Sequence, residues 1–440
     1  MKLVMFTPGL RTSAIGRMAS IVVRELTAKG VEVIVVRCEA ESFLPKSSHP
    51  FDVPVFSWTD DTAVGEAIAT ADLVVYHVGD NFAFHKGAIA WLGRCPGVVC
   101  LHDFYLGHLF HGWAHSREGS GNNEAAHILR SLYGKDADLR FSKAACRTSF
   151  IAETAATMPC TEWVCAMASA VVTHSSWGIQ RVLNSCPGPV RVVPLPYETL
   201  TRGHVVTEEA GVPGQVRVLT IGHANPNKRM DSVIRAIGGA PWLRANAVYR
   251  HVGHIDTAAF MDLSALATGL GVDFVASGEV DDAALEQAFA WANVVSCLRM
   301  PSLEAASASA IESMLYGKAI LVSDGGFYAE IEDGCAVRVE GTNEIASIRR
   351  ALEQLAGDPV GRESLGVRAR EWAERTFRAD AYAAELIELS GTSGTHPPFV
   401  NATKFFFDTL ARWGGDARWL TVPSVLEPIA IFDATGTDAT

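Results

Sequence analysis

The stretch Pro301-Ser-Leu-Glu-Ala-Ala-Ser-Ala-Ser-Ala-Ile-Glu-Ser-Met-Leu-Tyr-Gly-Lys-Ala-Ile-Leu-Val-Ser-Asp324 frames the reading of the whole chain. Its second half reads as a helix stopped by Gly317, then an apolar strand, Ala319 to Ser323, then a turn. Its first half is a loop of small residues feeding that helix. A loop entering a helix N-terminus offers free backbone N–H groups and the positive end of the helix dipole, which suits a phosphate-bearing ligand. Glu304 lies at the loop and Glu312 two turns on, about 12 Å further at ~1.5 Å rise per residue if the whole stretch is helical. A carboxylate at each end accepts hydrogen bonds from hydroxyls at two separated points, such as a sugar and a ribose. On spacing alone, the pattern also describes a surface helix carrying two ordinary glutamates.

Outward from this segment, the chain alternates short β-branched runs with helical patterns. The first series of runs is Leu3–Thr7, Val31–Arg37, Leu73–Tyr76, Val98–Leu101, Ala170–Thr173 and Val190–Val193. The second is Val216–Ile221, Tyr249–Val252, Val272–Ala276, Val294–Leu298, Ile320–Ser323 and Ala336–Val339. Such alternation means parallel sheets with helices on both faces. The polar, Gly- and Pro-bearing segment Thr199–Gly214 separates the two series. Two such domains facing a cleft set their strand C-terminal ends, where ligands bind, opposite one another. The expected organisation is a first domain over 1–200, a second over 212–377, and helices with a tail over 378–440. Within the last part, Gly391–Pro398 reads as a linker, Ala402–Trp413 as a final helix, and Thr421–Thr440 as a fraying end.

Composition excludes several classes. A chain of 440 residues is too long for one ordinary core. A net charge of −12 disfavours nucleic-acid binding while leaving room for a local basic site. No run reaches the ~18 apolar residues of a membrane span, and the N-terminal apolar run is too short for a secretory signal. The nine cysteines lack zinc spacing and read as reduced, cytosolic thiols. A cytoplasmic protein is expected. Peripheral membrane contact stays open, with no basic amphipathic helix to support it.

The pattern E-x7-E, followed by a glycine-ended helix and an apolar strand, resembles the GT-B retaining glycosyltransferases of family four, whose usual form is E-G-F-G-L-x-x-x-E. Ala305 and Ser307 stand here where the family has glycine. The resemblance implies a GT-B fold, with two Rossmann-like parallel-sheet domains and C-terminal helices crossing back to the first. It implies transfer of a sugar from a UDP- or GDP-sugar to a glycan, lipid or small-molecule hydroxyl. It assigns Glu304 to the transferred sugar, Glu312 to the ribose, and the backbone of Ala306, Ser307 and Ala308 to the donor.

Other segments extend the resemblance. Gly222-His-Ala-Asn-Pro-Asn-Lys-Arg-Met-Asp231 follows a strand and matches the family's G-R-x-x-x-x-K-G. Gly222 and Lys228 fall on the glycine and lysine that meet the diphosphate. His223 replaces the arginine, and Arg229 is the candidate to compensate. Gly16 matches a glycine that lies against the donor phosphates. The surrounding loop does not fit G-x-G-x-x-G, which argues against a nicotinamide dehydrogenase.

His102, ending the run Val98–Leu101, resembles the histidine near the reacting carbon, with Asp103 beside it. Gly79, Asp80, Asn81 and His85 resemble an acceptor-side element. His108, His111 and His115 share a helical face without the carboxylate of a zinc motif, so they read as a pocket wall. Ser116–Asn123 reads as a lid. No Asp-x-Asp follows an apolar strand, so neither a metal nor another cofactor is expected. A sugar-nucleotide epimerase and a non-catalytic glycan-binding protein are the alternative readings.

Overall fold

The alternation of strands and helices resolves into two all-parallel sheets in the structure, a computed structural model. It describes residues 1–116, 121–147, 149–199 and 215–393. The first sheet contains β1 (Lys2–Thr7), β2 (Glu32–Arg37), β3 (Val55–Ser57), β4 (Leu73–Val78), β5 (Val98–Leu101), β6 (Ala170–Thr173) and β7 (Val190–Val192). Its order is β3-β2-β1-β4-β5-β6-β7. Its helices are α1 (Ala14–Ala28), α2 (Asp61–Ala69), α3 (Phe82–Leu92), α4 (Gly107–Ser116), α5 (Gly121–Tyr133), α6 (Ala137–Ala145), α7 (Phe150–Thr154), α8 (Thr161–Met167) and α9 (Ile179–Leu183).

The second sheet contains β8 (Val216–Ile221), β9 (Ala247–Val252), β10 (Asp273–Ala276), β11 (Val294–Cys297), β12 (Ala319–Ser323) and β13 (Val337–Val339). Its order is β10-β9-β8-β11-β12-β13. Its helices are α10 (Met230–Gly238), α11 (Pro241–Asn246), α12 (Thr257–Leu270), α13 (Asp282–Trp291), α14 (Ala308–Leu315), α15 (Glu344–Gly357) and α16 (Pro359–Thr376), and α17 (Ala379–Ser393) follows.

Strand order reverses between β1 and β4 in one sheet and between β8 and β11 in the other. Loops leave these neighbours toward opposite faces, which opens a crevice at the strand ends. Both crevices carry the residues singled out above. The central strands are buried on both faces and read as unbroken apolar runs, as a covered parallel sheet requires.

One hydrophobic cluster joins the domains. It runs from Met18 and Val22 of α1 through Tyr382, Leu386 and Leu389 of α17 to Ala310, Ile311 and Met314 of α14. The crossing expected of the C-terminal helices is therefore made by α17. Residues 402–413, read from the sequence as a final helix, lie outside the described residues. The 421–440 tail also lies outside them, and the expected lid and both linkers fall there wholly or in part.

Candidate active site

The loop between β11 and α14 is not helical. Ser307, the N-cap, accepts a bond from the Ala310 amide, and α14 begins only at Ala308. Serine before a run of small residues is a strong start signal, so the two glutamates do not share one continuous helix. Glu304 sits in the loop. Its carboxylate accepts from Tyr328 Oη at 2.6 Å and pairs with Arg299 Nε at 3.1 Å. Glu312 sits in α14, buried, and pairs with Arg17 Nη1 of α1 at 2.7 Å. Burial pushes the Glu312 carboxyl up, against the pull of Arg17. Ala306 and Ser307 are buried and Ala308 is half-buried.

The loop after β8 starts at Gly222, whose φ of +83° favours glycine. Lys228 is buried, and its Nζ donates to the Ile221 carbonyl at 2.5 Å. Burial, and next the Arg299 charge, hold its ammonium well below the ordinary value. His223 is exposed and stacks on His254 with ring centroids 4.9 Å apart. Arg229 does not compensate for it. Its Nε and Nη2 bind the Glu344 carboxylate at 2.9 and 2.7 Å, at the start of α15. The cation beside Lys228 is instead Arg299, at the end of β11, which the sequence reading passed over.

Gly16, the other donor-side glycine the resemblance singled out, is held by local packing. It lies inside the first turn of α1, its amide capped by Ser13 Oγ at 3.1 Å. A Cβ there would stand 2.4 Å from the Pro8 carbonyl, so glycine allows the helix to pack closely on the loop. In that loop the Gly9 and Leu10 amides donate to buried Glu39 Oε1 at 2.8 and 2.7 Å.

On the acceptor side, Gly79 leaves room for two neighbours. A Cβ would sit 2.9 Å from Asp103 Oδ2 and 3.0 Å from His85 Nε2. Asp80 and Asn81 are helix caps. Asp80 Oδ1 accepts from the His108 and Leu109 amides of α4 and its Oδ2 meets His108 Nδ1 at 2.5 Å, while Asn81 accepts from Ala83 at the start of α3. Burial lowers His108, but the Asp80 carboxylate outweighs it and raises the imidazole. Burial and the neighbouring Asp80 raise the Asp103 carboxyl to about 7.

His102 turns its Nε2 to His77 Nδ1, 2.9 Å away, and its ring lies 4.8 Å from that of His174. Its Nε2 is thus engaged within the first domain, and a sugar would be met through Nδ1. Burial keeps His77 at about 3, and His85 and His174 at about 4. His111 and His115 rings pack at 4.1 Å. Among the described residues, no group of three or more His, Cys, Asp or Glu side chains is placed to hold a metal ion.

A short ladder closes the site. The Phe104 amide donates to the Leu303 carbonyl at 2.7 Å, and the Ala305 amide to the His102 carbonyl at 2.9 Å. Asp103 and Glu304 face each other as an antiparallel bridge pair. This pairing brings His102 and Asp103 from one domain against Glu304 from the other. Arg17, Arg299, Tyr328 and His77 escaped the sequence reading. An arginine at a strand's C-terminal end was the one available signal, and only for Arg299.

Residues 208–372 match the model of the family described as glycosyl transferases group 1. No curated protein matches the chain in sequence. The fold is shared with HepE of Anabaena, solved with UDP and glucose, at a TM-score of 0.57 and 15% identity, over 89% of this chain and 100% of that one. Sucrose-phosphate synthase of Thermosynechococcus elongatus gives a TM-score of 0.61 at 13% identity, over 89% and 98%. WaaG, a glycosyltransferase involved in lipopolysaccharide biosynthesis, gives 0.56 at 15%, over 88% and 99%.

Proposed function

We propose that this chain, whose residues 208–372 match the glycosyl transferases group 1 model and whose fold is GT-B, is a glycosyltransferase that transfers a hexose from a UDP- or GDP-sugar to an acceptor hydroxyl, with retention at the anomeric carbon and without a metal. The observation that carries this reading is the ladder between His102–Phe104 and Leu303–Ala305. It sets a carboxylate of the second domain against the histidine and aspartate of the first, beside buried Lys228.

In this reading Lys228 and the α14 N-terminus stabilise the departing diphosphate. Glu304, oriented by Tyr328 and Arg299, holds the sugar hydroxyls. Glu312 receives the ribose, which competes with Arg17 for the same carboxylate. The acceptor lies on the first-domain side, near Gly79, His85 and Asp103, and is a glycan, a lipid or a small molecule. The C1–O bond to the diphosphate breaks, the acceptor oxygen bonds C1 on the same face, and its proton passes to the departing diphosphate. A cytoplasmic location fits nine free cysteines. No helix among the described residues is long and apolar enough to cross a membrane.

Thermal titration with UDP, GDP, ADP and their sugar conjugates, with and without EDTA, tests the donor class. One nucleotide should raise the melting temperature equally in both buffers. Proton NMR of the product should show an α-linkage from an α-donor. A β-product would overturn retention, and a shift abolished by EDTA would overturn metal independence.

A further inference from the structure

At the switch point of the second sheet, Lys228 and Arg299 are buried near each other, and Arg299 pairs with the Glu304 carboxylate at 3.1 Å. Lys228 comes from the loop after β8 and Arg299 from the end of β11, the two strands that flank the reversal in strand order. The Met300 amide donates to the Asn227 carbonyl at 2.8 Å and ties the two loops together. Both cations are buried, with Lys228 5% and Arg299 6% exposed. The Glu304 charge also favours the protonated Lys228, against burial and Arg299. Glu304 also accepts the Tyr328 hydroxyl, so its charge is further shared. The Arg299 guanidinium is fixed by Glu304, by the Leu298 carbonyl at 2.8 Å and by Ser309 Oγ at 3.1 Å in the first turn of α14.

Lys228 and Arg299 can both carry charge in this buried site only at a cost that a bound anion would offset. The crevice at such strand ends is where α/β sheets take their ligands. A guanidinium has five donors, and three bonds leave it able to meet a phosphoryl oxygen. We propose that Arg299 is the second cation for the donor's diphosphate, acting with Lys228 and supplying the positive charge that position 223 does not. This rests on the donor reading above and adds a residue to it. Arg299 is also a positioning residue for Glu304, and the test separates the two roles.

Calorimetry with UDP and UMP, or GDP and GMP if guanine is preferred, reads the contribution of the second phosphate. Wild type should bind the diphosphate at least tenfold tighter than the monophosphate. Arg299→Gln should cut diphosphate affinity about tenfold or more and leave the monophosphate within about twofold, the range of one charge-assisted bond. Adding His223→Arg to Arg299→Gln should restore most of the loss, which a purely structural arginine would not allow. Glu304→Gln leaves both cations in place, so it should bind the diphosphate as tightly as wild type or tighter. That variant keeps the proposal falsifiable if Arg299→Gln does not fold.

Equal losses for both nucleotides in Arg299→Gln, no loss at all, or weaker diphosphate binding in Glu304→Gln would each overturn the assignment. If wild type separates the two nucleotides while these outcomes occur, the donor reading survives and Arg299 alone is wrong. If wild type binds neither nucleotide, both fall.

Discussion

At the residue scale, Lys228 gives the sharpest expectation. Its ammonium is held well below the ordinary value by burial and then by Arg299. A bound diphosphate supplies the missing negative charge and favours the protonated form. Binding should therefore take up a proton at any pH above the depressed value in the free protein, and affinity should fall as pH rises there. Titrations in buffers of different ionisation enthalpy measure that uptake, and none should be seen in Lys228→Ala. The same shift bears on folding. The unfolded lysine holds its proton up to about 10.5, so this site makes stability rise with pH from the depressed value to that point.

At the element scale, four buried histidines gather at one end of the first sheet: His77 in β4, His102 after β5, His174 after β6, and His85 of α3, whose Nδ1 meets the His77 carbonyl. Burial is the main cause that keeps each below the ordinary imidazole range. The unfolded chain binds protons at these sites below pH ~6.5, and the folded chain does not until about 4 or lower. Each such histidine should therefore remove roughly 1.4 kcal/mol of stability per pH unit as pH falls through that window. Asp103, raised to about 7, works the opposite way and offsets one of them. Denaturant titrations from pH 7 to 4.5 should show a steep loss of stability. His174→Phe, which removes one proton site, should make that slope shallower.

Strands at this scale were mostly legible because buried parallel strands are written as continuous β-branched runs, such as Val216–Ile221. The edge strand Val55–Ser57 was missed. It has three residues, follows Pro54, and faces partly to solvent. The end of α14 was legible from Gly317, but its start was displaced because Ser307 was read only as a small residue and not as a cap.

At the scale of the whole molecule, the domains are held by α17, by the ladder at Leu303–Ala305 and by the Arg17–Glu312 pair. Arg17 also donates to the Glu198 carbonyl at 2.9 Å and stacks on Tyr197 at 4.8 Å. Its partner carboxylate is 295 positions away in the chain, so nothing local in the sequence marks the pair. Arg299, Glu304 and Lys228 likewise converge only once β8 and β11 become neighbours. Motif spacing pointed to the residues that a family pattern names, while Arg17, Arg299 and Tyr328 emerge only from tertiary contact. Arg17→Met leaves Glu312 buried without its cation. It should cost about 3 kcal/mol of stability, in the range for a broken buried pair, and widen the domain distribution seen by small-angle scattering. A saturating nucleoside diphosphate should narrow it again, since in the proposed reading the ribose then occupies Glu312.

The most direct measurement is release of nucleoside diphosphate from UDP- and GDP-sugars in EDTA, by wild type and by Glu304→Gln. The account predicts turnover with one donor class by wild type. It predicts a fall of about a hundredfold or more in the variant, which still binds the free nucleotide. No release from any donor, or equal release by both proteins, would contradict it.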